Sequence, residues 1–145
     1  MRVRYVCGVA LVSLMGCQRP PDISTLVDDH GTLLNDVVTA TCDCFQDFGY
    51  ESSSECDLGF GSVDSTGRQC LLDVLRGHEE DAEAYLSCAN LTLIEFSNCL
   101  DENDSCEPGG YDNCVAAYMG AEGTCPQLSG VVQNEFAACV PALTR

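Results

Sequence analysis

Ten cysteines between residues 42 and 139 carry the most distinctive chemistry of this sequence. They are Cys42, Cys44, Cys56, Cys70, Cys88, Cys99, Cys106, Cys114, Cys125 and Cys139. Such thiols could hold a metal ion, act as nucleophiles or join in disulfides. Zinc sites usually contain paired C-x2-4-C spacings, whereas Cys42 and Cys44 are the only close pair here and only His30 and His78 could assist. Disulfides are therefore the favoured chemistry, and we expect neither a metal–thiolate site nor another cofactor.

The acidic segment 101–112 contains a second pattern, which could bind an ion. In an EF-hand-like frame its first, third, fifth and twelfth positions carry oxygen-bearing side chains: Asp101, Asn103, Ser105 and Asp112. Calcium prefers six to eight hard oxygen ligands, which such a loop could supply. However, Cys106 stands where the sharp turn of that loop needs Gly. A solvated acidic turn is the favoured interpretation, and a calcium-binding surface domain is the alternative.

The sequence offers little to a catalytic mechanism. His78-Glu79-Glu80 could form an acid–base or metal group, but acids at the start of a predicted helix more often stabilise its positive end. There is no Lys and no G-x-S-x-G motif, and pairing of the ten cysteines would leave no thiol nucleophile. Carboxylates alone would have to act as acid and base. We therefore expect a protein that is not an enzyme.

Charge is distributed very unevenly along the chain. All 23 acidic residues follow residue 17, and they face only four arginines there, so that part carries a net charge of about −19. Such a surface repels nucleic-acid phosphates and anionic lipid headgroups. It excludes a nucleic-acid partner and would suit cations or a basic partner.

The first sixteen residues have the layout of a signal peptide. Arg2 and Arg4 precede an apolar run from Tyr5 to Met15, which is too short to cross a bilayer as a helix, since a span needs about 20 residues. An exported chain meets an oxidising environment, in which disulfides persist.

The end of this run, Leu14-Met15-Gly16-Cys17, resembles the lipobox of bacterial lipoproteins. The resemblance implies cleavage after Gly16 and a membrane anchor in which lipid is attached to Cys17. Gln18 follows the cysteine instead of the Asp that retains enterobacterial lipoproteins in the inner membrane, so the outer membrane is favoured over the inner one. The competing interpretation is an ordinary secretory signal. Lipidation of Cys17 leaves the ten downstream cysteines as an even set, which predicts five disulfides.

These features predict that the chain is divided into three parts. Residues 1–16 are a signal peptide, residues 17–31 are the lipidated cysteine and a short tether with Pro20-Pro21, and residues 32–145 are an acidic, Cys-rich helical domain. After removal of the signal peptide the chain is long enough for one domain and too short for two comfortable ones.

Apolar spacing predicts helices throughout this domain, and strand-like alternation is scarce. The clearest helix runs from about Glu79 to Leu100. Its apolar stripe comprises Ala82, Tyr85, Leu86, Ala89, Leu93, Phe96 and Leu100. Further helices are predicted within residues 32–49, 65–77, 112–119 and 124–140, and residues 51–64 are predicted to be a loop. The fold class is therefore all-α, a small disulfide-stapled bundle of four or five short helices.

Cys88 and Cys99 are eleven residues apart, and Cys114 and Cys125 repeat that spacing. Eleven residues are close to three helical turns, so on the helix predicted from Glu79 to Leu100 Cys88 and Cys99 face the same neighbour, whereas Gly120, Gly123 and Pro126 interrupt the segment between Cys114 and Cys125. This twin spacing resembles the twin-Cys helical hairpin of mitochondrial intermembrane-space proteins, whose paired cysteines are one residue closer. The resemblance implies nested bonds, Cys99 with Cys114 and Cys88 with Cys125. The cysteine count alone leaves every other pairing open, including a bundle stapled in another order.

These features together predict a non-catalytic cell-envelope lipoprotein, attached to the membrane through its N-terminal lipid. Its acidic helical domain is expected to contact a protein partner in the envelope. The alternative is a module that binds a small hydrophobic ligand or a lipid, because disulfides can hold an apolar cavity open between helices.

Overall fold

Helices account for all the regular secondary structure that the computed structural model describes, which covers residues 20–103, 106–141 and 143. Six α-helices lie in that part of the chain, with one turn of 3₁₀ helix at Phe45–Phe48. They are α1 (Ser24–Cys42), α2 (Ser53–Phe60), α3 (Ser65–Leu75), α4 (Glu79–Glu102), α5 (Gly110–Glu122) and α6 (Gly130–Ala138). The predicted all-α, disulfide-stapled bundle is confirmed.

The longest helix, α4, forms where its apolar period predicts it. Glu79, Glu80 and Asp81 occupy the first turn, where negative charge stabilises the positive end of the helix dipole. Every member of the predicted apolar stripe is buried: Ala82, Tyr85, Leu86, Ala89, Leu93, Phe96 and Leu100. Burial of a large apolar side chain contributes roughly 1.5–3 kcal/mol, so this stripe is the centre of the core.

Helix α1 packs along α4 and begins earlier than the sequence predicts. The expected tether extends to residue 31, but α1 starts at Ser24, whose backbone N–H donates to the Asp22 carboxylate. Val27 and Gly31 are buried within the bundle. The predicted boundary of the helical domain at residue 32 is therefore too late.

In the sequence Gly31 resembles a helix break, and this explains why the predicted boundary at residue 32 is too late. In the structure it lies inside α1, and a Cβ atom there would lie 3.1 Å from Val63 Cγ1 and 3.2 Å from Arg68 Nε. The missing side chain thus lets the segment around α3 approach α1 closely. Gly49, which was expected to end the same helix, ends the following 3₁₀ turn at φ +78° instead.

Helix α2 occupies part of the predicted loop 51–64. Its N-cap is Ser52, whose hydroxyl oxygen accepts a hydrogen bond from the Glu55 backbone N–H at 3.2 Å. The Glu55 carboxylate in turn accepts from the backbone N–H of Glu51 at 2.9 Å. The S-x-x-E spacing is the signature of a capping box, and it was the available signal for this helix.

The last helix also differs from its prediction. Thr124 to Gln127 has the spacing of a capping box, from which the helix predicted within residues 124–140 would start, yet α6 begins at Gly130. The Gln127 side chain donates to the Cys125 carbonyl at 2.8 Å, so it does not reach back to a helix start. Leu128 is buried in the core, and this anchors the connection as an extended segment before α6.

Disulfides join the helices of the described residues to one another. The pairs are Cys42–Cys56, Cys44–Cys106, Cys70–Cys139, Cys88–Cys125 and Cys99–Cys114. The last two tie α4 to α5 and to the segment after it, and they form the nested pair that the twin-Cys resemblance implies. The others link α1 to α2, the end of α1 to the α4–α5 connection, and α3 to the end of α6.

Candidate functional site: an apolar groove with an acidic rim

An open groove runs between α1 and α4 on the surface of the domain. It has a volume of about 410 Å³. Its lining comes from both helices: Leu26, Asp29, Thr32, Leu33, Ser87, Asn90, Leu91 and Ile94. We call this surface the α1–α4 groove.

The walls of the α1–α4 groove are apolar although they face solvent. Leu91 is 64% exposed and Ile94 is 42% exposed, while Leu26 and Leu33 on the opposite wall are half-buried. Isolated exposed leucines are ordinary on protein surfaces, but a contiguous apolar patch with a polar rim marks a binding surface. The groove therefore has the apolar character of a binding surface.

A buried hydrogen-bond network forms the floor of the groove and holds the two helices in register. Asn90 Nδ2 donates to the Leu26 carbonyl at 3.1 Å, and Asn90 Oδ1 lies 2.7 Å from His30 Nδ1. Because the amide oxygen can only accept, His30 must carry its proton on Nδ1. The other side of the imidazole faces Phe136, with 5.4 Å between the ring centroids.

Burial lowers the pKa of His30, and the hydrogen bond to Asn90 opposes this shift only in part. The imidazole is therefore neutral at neutral pH, as an apolar surrounding requires. A neutral, hydrogen-bonded histidine at this depth acts as a structural element of the floor and is not accessible as a base.

Carboxylates surround the apolar walls. Asp29 belongs to the lining. The exposed side chains of Asp36, Glu83 and Glu95 lie beside it, since each is three or four residues from a lining residue and so shares its helix face. Among the described residues, no arginine or histidine lines the groove. The local field is therefore strongly negative.

Of the two arginines in the described residues, Arg68 contacts α1 beside the groove and is already paired. Arg68 lies 3.4 Å from the Asp28 carboxylate and donates to the Thr32 hydroxyl at 3.2 Å. Its side chain is partly buried against Gly31. Arg68 thus compensates Asp28 beside the groove, and within residues 20–103, 106–141 and 143 no ion pair involves Asp29 or the other rim carboxylates.

A second cluster of titratable side chains lies between α4 and α5. The Tyr85 hydroxyl donates to Glu122 at 3.4 Å. Burial, and then the charge of Glu122, raise the pKa of Tyr85 to about 12, and the same causes raise the pKa of Tyr118. Both phenols are protonated at neutral pH, so neither can serve as a base.

The ring contacts of this cluster are those of a core. Tyr85 meets Phe136 edge to face at 5.4 Å, and Tyr118 stacks on Phe96 at 4.8 Å. Such aromatic pairs stabilise packing by about 0.5–1.5 kcal/mol beyond burial. The tyrosines therefore join α4 to α5 and α6 and offer no reactive group.

The four calcium candidates are spread over two helices and their connection. Asp101 is in α4, Asp112 is in the first turn of α5, and Ser105 lies outside the described residues, as does Cys17, the predicted lipidation site. Asn103 turns its amide into the domain, where Nδ2 donates to the Cys99 carbonyl at 2.8 Å and lies 3.3 Å from Cys114 Sγ. The described residues contain no group of three His, Cys, Asp or Glu side chains that could hold a metal ion.

The remaining sequence candidates also have structural partners. Every one of the ten predicted disulfide cysteines is paired. Cys106 adopts a left-handed backbone with φ +52°, the conformation for which the calcium frame would need Gly. Glu79, beside His78, accepts the Gly77 backbone N–H at 2.9 Å. This bond is the main reason that the pKa of Glu79 is lowered, so Glu79 serves the start of α4.

The sequence did not reveal the groove. Leu91 and Ile94 lie off the apolar stripe of α4, where they resemble scattered surface residues. Leu26 and Asp29 fall in the predicted tether. The available signal was the apolar pair Leu91 and Ile94 on a face of α4 that is otherwise polar.

None of the helices in the described residues is both long enough and apolar enough to be a membrane span. No family model, curated protein or solved structure matches the chain. The geometry of the groove and the sequence motifs therefore carry the functional conclusion.

Proposed function

We propose that this chain is a non-catalytic, lipid-anchored protein of the bacterial cell envelope, whose acidic domain binds a protein partner through the α1–α4 groove. The observation that carries the proposal is the exposed apolar wall formed by Leu91 and Ile94 in a surface otherwise rich in carboxylates. A highly charged domain gains solubility from its acids. Two large apolar side chains that are exposed together promote aggregation unless a partner covers them.

Export is supported by the cysteine chemistry. Disulfides throughout the domain suit an oxidising compartment outside the cytoplasm. The lipobox-like residues Leu14 to Cys17 precede α1 closely. Seven peptide steps separate Cys17 from Ser24, a reach of about 25 Å at most. An anchor at Cys17 would therefore hold the N-terminal half of α1, and the groove with it, near the membrane surface.

A binding role is also favoured over catalysis by the state of the reactive groups. The ten cysteines are in disulfides, His30 is buried and neutral, and Tyr85 keeps its proton at neutral pH. What remains accessible is an apolar surface, many carboxylates and the lone imidazole of His78. Such a surface can recognise a partner by shape and charge.

Site-specific photocrosslinking tests the partner proposal. A photoreactive amino acid at Leu91 in the intact envelope of the native host is expected to give one reproducible protein adduct. The same amino acid at Leu58, which is 85% exposed on α2, is the matched control and should not give that adduct. Equal adducts from both positions, or none from Leu91, would overturn binding through the groove.

Metabolic labelling tests the anchor. Radiolabelled palmitate is expected to enter the wild-type protein and the control Gln18→Ala, and to be absent from Cys17→Ala. Label retained in Cys17→Ala would rule out the lipobox interpretation. The crosslinking result does not depend on this outcome, so the two parts of the proposal can fail separately.

A small hydrophobic ligand is the second candidate, and the volume of the groove favours it. Ligand sites typically have volumes of about 300–1,000 Å³, but they enclose most of the ligand. Two other cavities between the helices are too small to enclose such a ligand. The cavity beside Leu100 has a volume of about 20 Å³, and the cavity beside Phe96 has a volume of about 50 Å³. Native mass spectrometry after mild extraction tests this candidate: a retained ligand that is lost with Leu91→Ser would support it, and an empty protein would exclude it.

A further inference from the structure

We infer that the occupant of the α1–α4 groove is an amphipathic helix that carries basic residues on its rim-facing sides. This inference rests on the proposed function and names the chemistry of the partner. It follows from the shape of the groove, from the charge around it and from the state of the polar groups in its floor.

The shape of the groove suits a third helix. On α4 the lining residues Ser87, Leu91 and Ile94 recur at spacings of four and three residues, and on α1 Leu26 and Leu33 are seven apart. Each wall therefore extends for about 10 Å along its helix, or two turns. A helix laid between them would meet apolar ridges on both sides with its own i, i+3, i+4 and i+7 positions.

The charge of the rim selects the sign of the partner. Asp29, Asp36, Glu83 and Glu95 surround the apolar walls, and Arg68 is already engaged by Asp28. A second copy of this chain would bring the same large negative charge to the contact, and like charges face to face are unfavourable. Lysines or arginines beside the apolar face of a partner helix would instead pair with these carboxylates.

Several polar groups that line the groove already have partners inside the domain. Both ends of the Asn90 amide have partners inside the domain, Leu26 and His30. The Thr32 hydroxyl donates to the Asp28 carbonyl at 2.9 Å. Covering the floor with apolar side chains therefore leaves these groups satisfied. Affinity would come from the apolar walls, and selectivity from the acidic rim.

Three designed helical peptides test this inference. The first has leucines at i, i+3, i+4 and i+7 with lysines on the flanking positions. The second keeps the leucines and replaces lysine by glutamate, and the third keeps the lysines and scatters the leucines. Each is titrated by fluorescence anisotropy against the mature lipoprotein in nanodiscs of net-neutral phosphatidylcholine, with empty nanodiscs as the background.

The first peptide is expected to bind, and the glutamate and scattered peptides to bind at least tenfold more weakly. The double variant Leu91→Ser with Ile94→Ser should weaken binding of the first peptide by at least about tenfold, because two apolar contacts are lost. The control Leu58→Ser should bind as wild type does. Raising the salt concentration should weaken binding, since the rim contacts are exposed.

Several outcomes would overturn the inference. They are equal binding of the glutamate or the scattered peptide, unchanged binding to the double variant, and binding to empty nanodiscs that accounts for the whole signal. The last result would point to a lipid surface as the target of the peptide.

If none of the peptides binds while crosslinking at Leu91 still captures a partner, the proposed function stands and the basic-helix occupant is wrong. If the first peptide binds as expected and no crosslink forms, the proposed function fails and the chemical preference of the groove stands.

Discussion

The imidazole Nδ1 of His30 lies 2.7 Å from the side-chain oxygen of Asn90, and this hydrogen bond joins α1 to α4 across sixty residues of sequence. Both side chains are buried. The bond fixes the register of the two helices that form the groove, so the stability of the domain and the shape of the groove depend on the same pair.

Acid is expected to destabilise the domain through His30. Burial lowers the pKa of His30 in the folded domain, so the unfolded chain takes up a proton at a higher pH than the folded one. Stability is then insensitive to this group above a pH of about 6.5 and falls as pH drops below it. Thermal unfolding between about pH 7.5 and 5 should show this loss, and His30→Gln should reduce its pH dependence.

The exposed His78 provides the control for the pH experiment. His78→Gln should retain the pH dependence of the wild type, since this substitution leaves the His30–Asn90 bond in place. If His30→Gln and wild type lose stability in parallel over this range, the carboxylates and not His30 cause the effect.

Asn90→Ala is expected to lower the free energy of unfolding by about 1–3 kcal/mol, because the buried His30 N–H loses its acceptor. Urea denaturation followed by circular dichroism measures this change. Asn98→Ala on the same helix is the matched control, since Asn98 is exposed, and it should change stability by less than about 0.5 kcal/mol. Equal effects of the two variants would contradict a structural role of the His30–Asn90 bond.

The nested disulfides of the α4–α5 hairpin should differ in their contribution to stability. Cys88–Cys125 closes a loop of 37 residues and Cys99–Cys114 closes one of 15. Chain entropy predicts that replacing the outer pair by Ser costs about 4 kcal/mol and the inner pair about 3 kcal/mol. Denaturant unfolding of the two double variants checks this order, and non-reducing peptide mapping should recover both bonds. A fragment joining Cys88 to any other cysteine would contradict the nested arrangement.

Asn103 is expected to act on stability and not on calcium binding. Its amide donates to the Cys99 carbonyl at the end of α4, so Asn103→Ala should cost about 1 kcal/mol. Isothermal titration with millimolar calcium should give no binding heat for either wild type or variant. Saturable heat that disappears in Asp112→Asn would instead support the calcium-binding alternative.

The helical class and the core of α4 could be predicted because both depend on local periodicity. The spacing from Ala82 to Leu100 places one face of a helix against a core whatever the neighbours are. The beginning of α1 could not be predicted in the same way. Gly31 and Pro20-Pro21 locally favour a break, and only the close approach of Val63 and Arg68 explains why a glycine lies within a buried helix.

The candidate site, too, could be predicted only in part from the sequence. The even number of cysteines, the lipobox-like motif and the excess of carboxylates are properties of the sequence alone, and they indicate disulfides, export and the sign of a partner's charge. The groove is different, because Leu26 and Leu33 become its wall only when α1 lies beside Leu91 and Ile94 of α4. Local sequence encodes which face of a helix is apolar, whereas the distance between faces sixty residues apart is decided by tertiary packing.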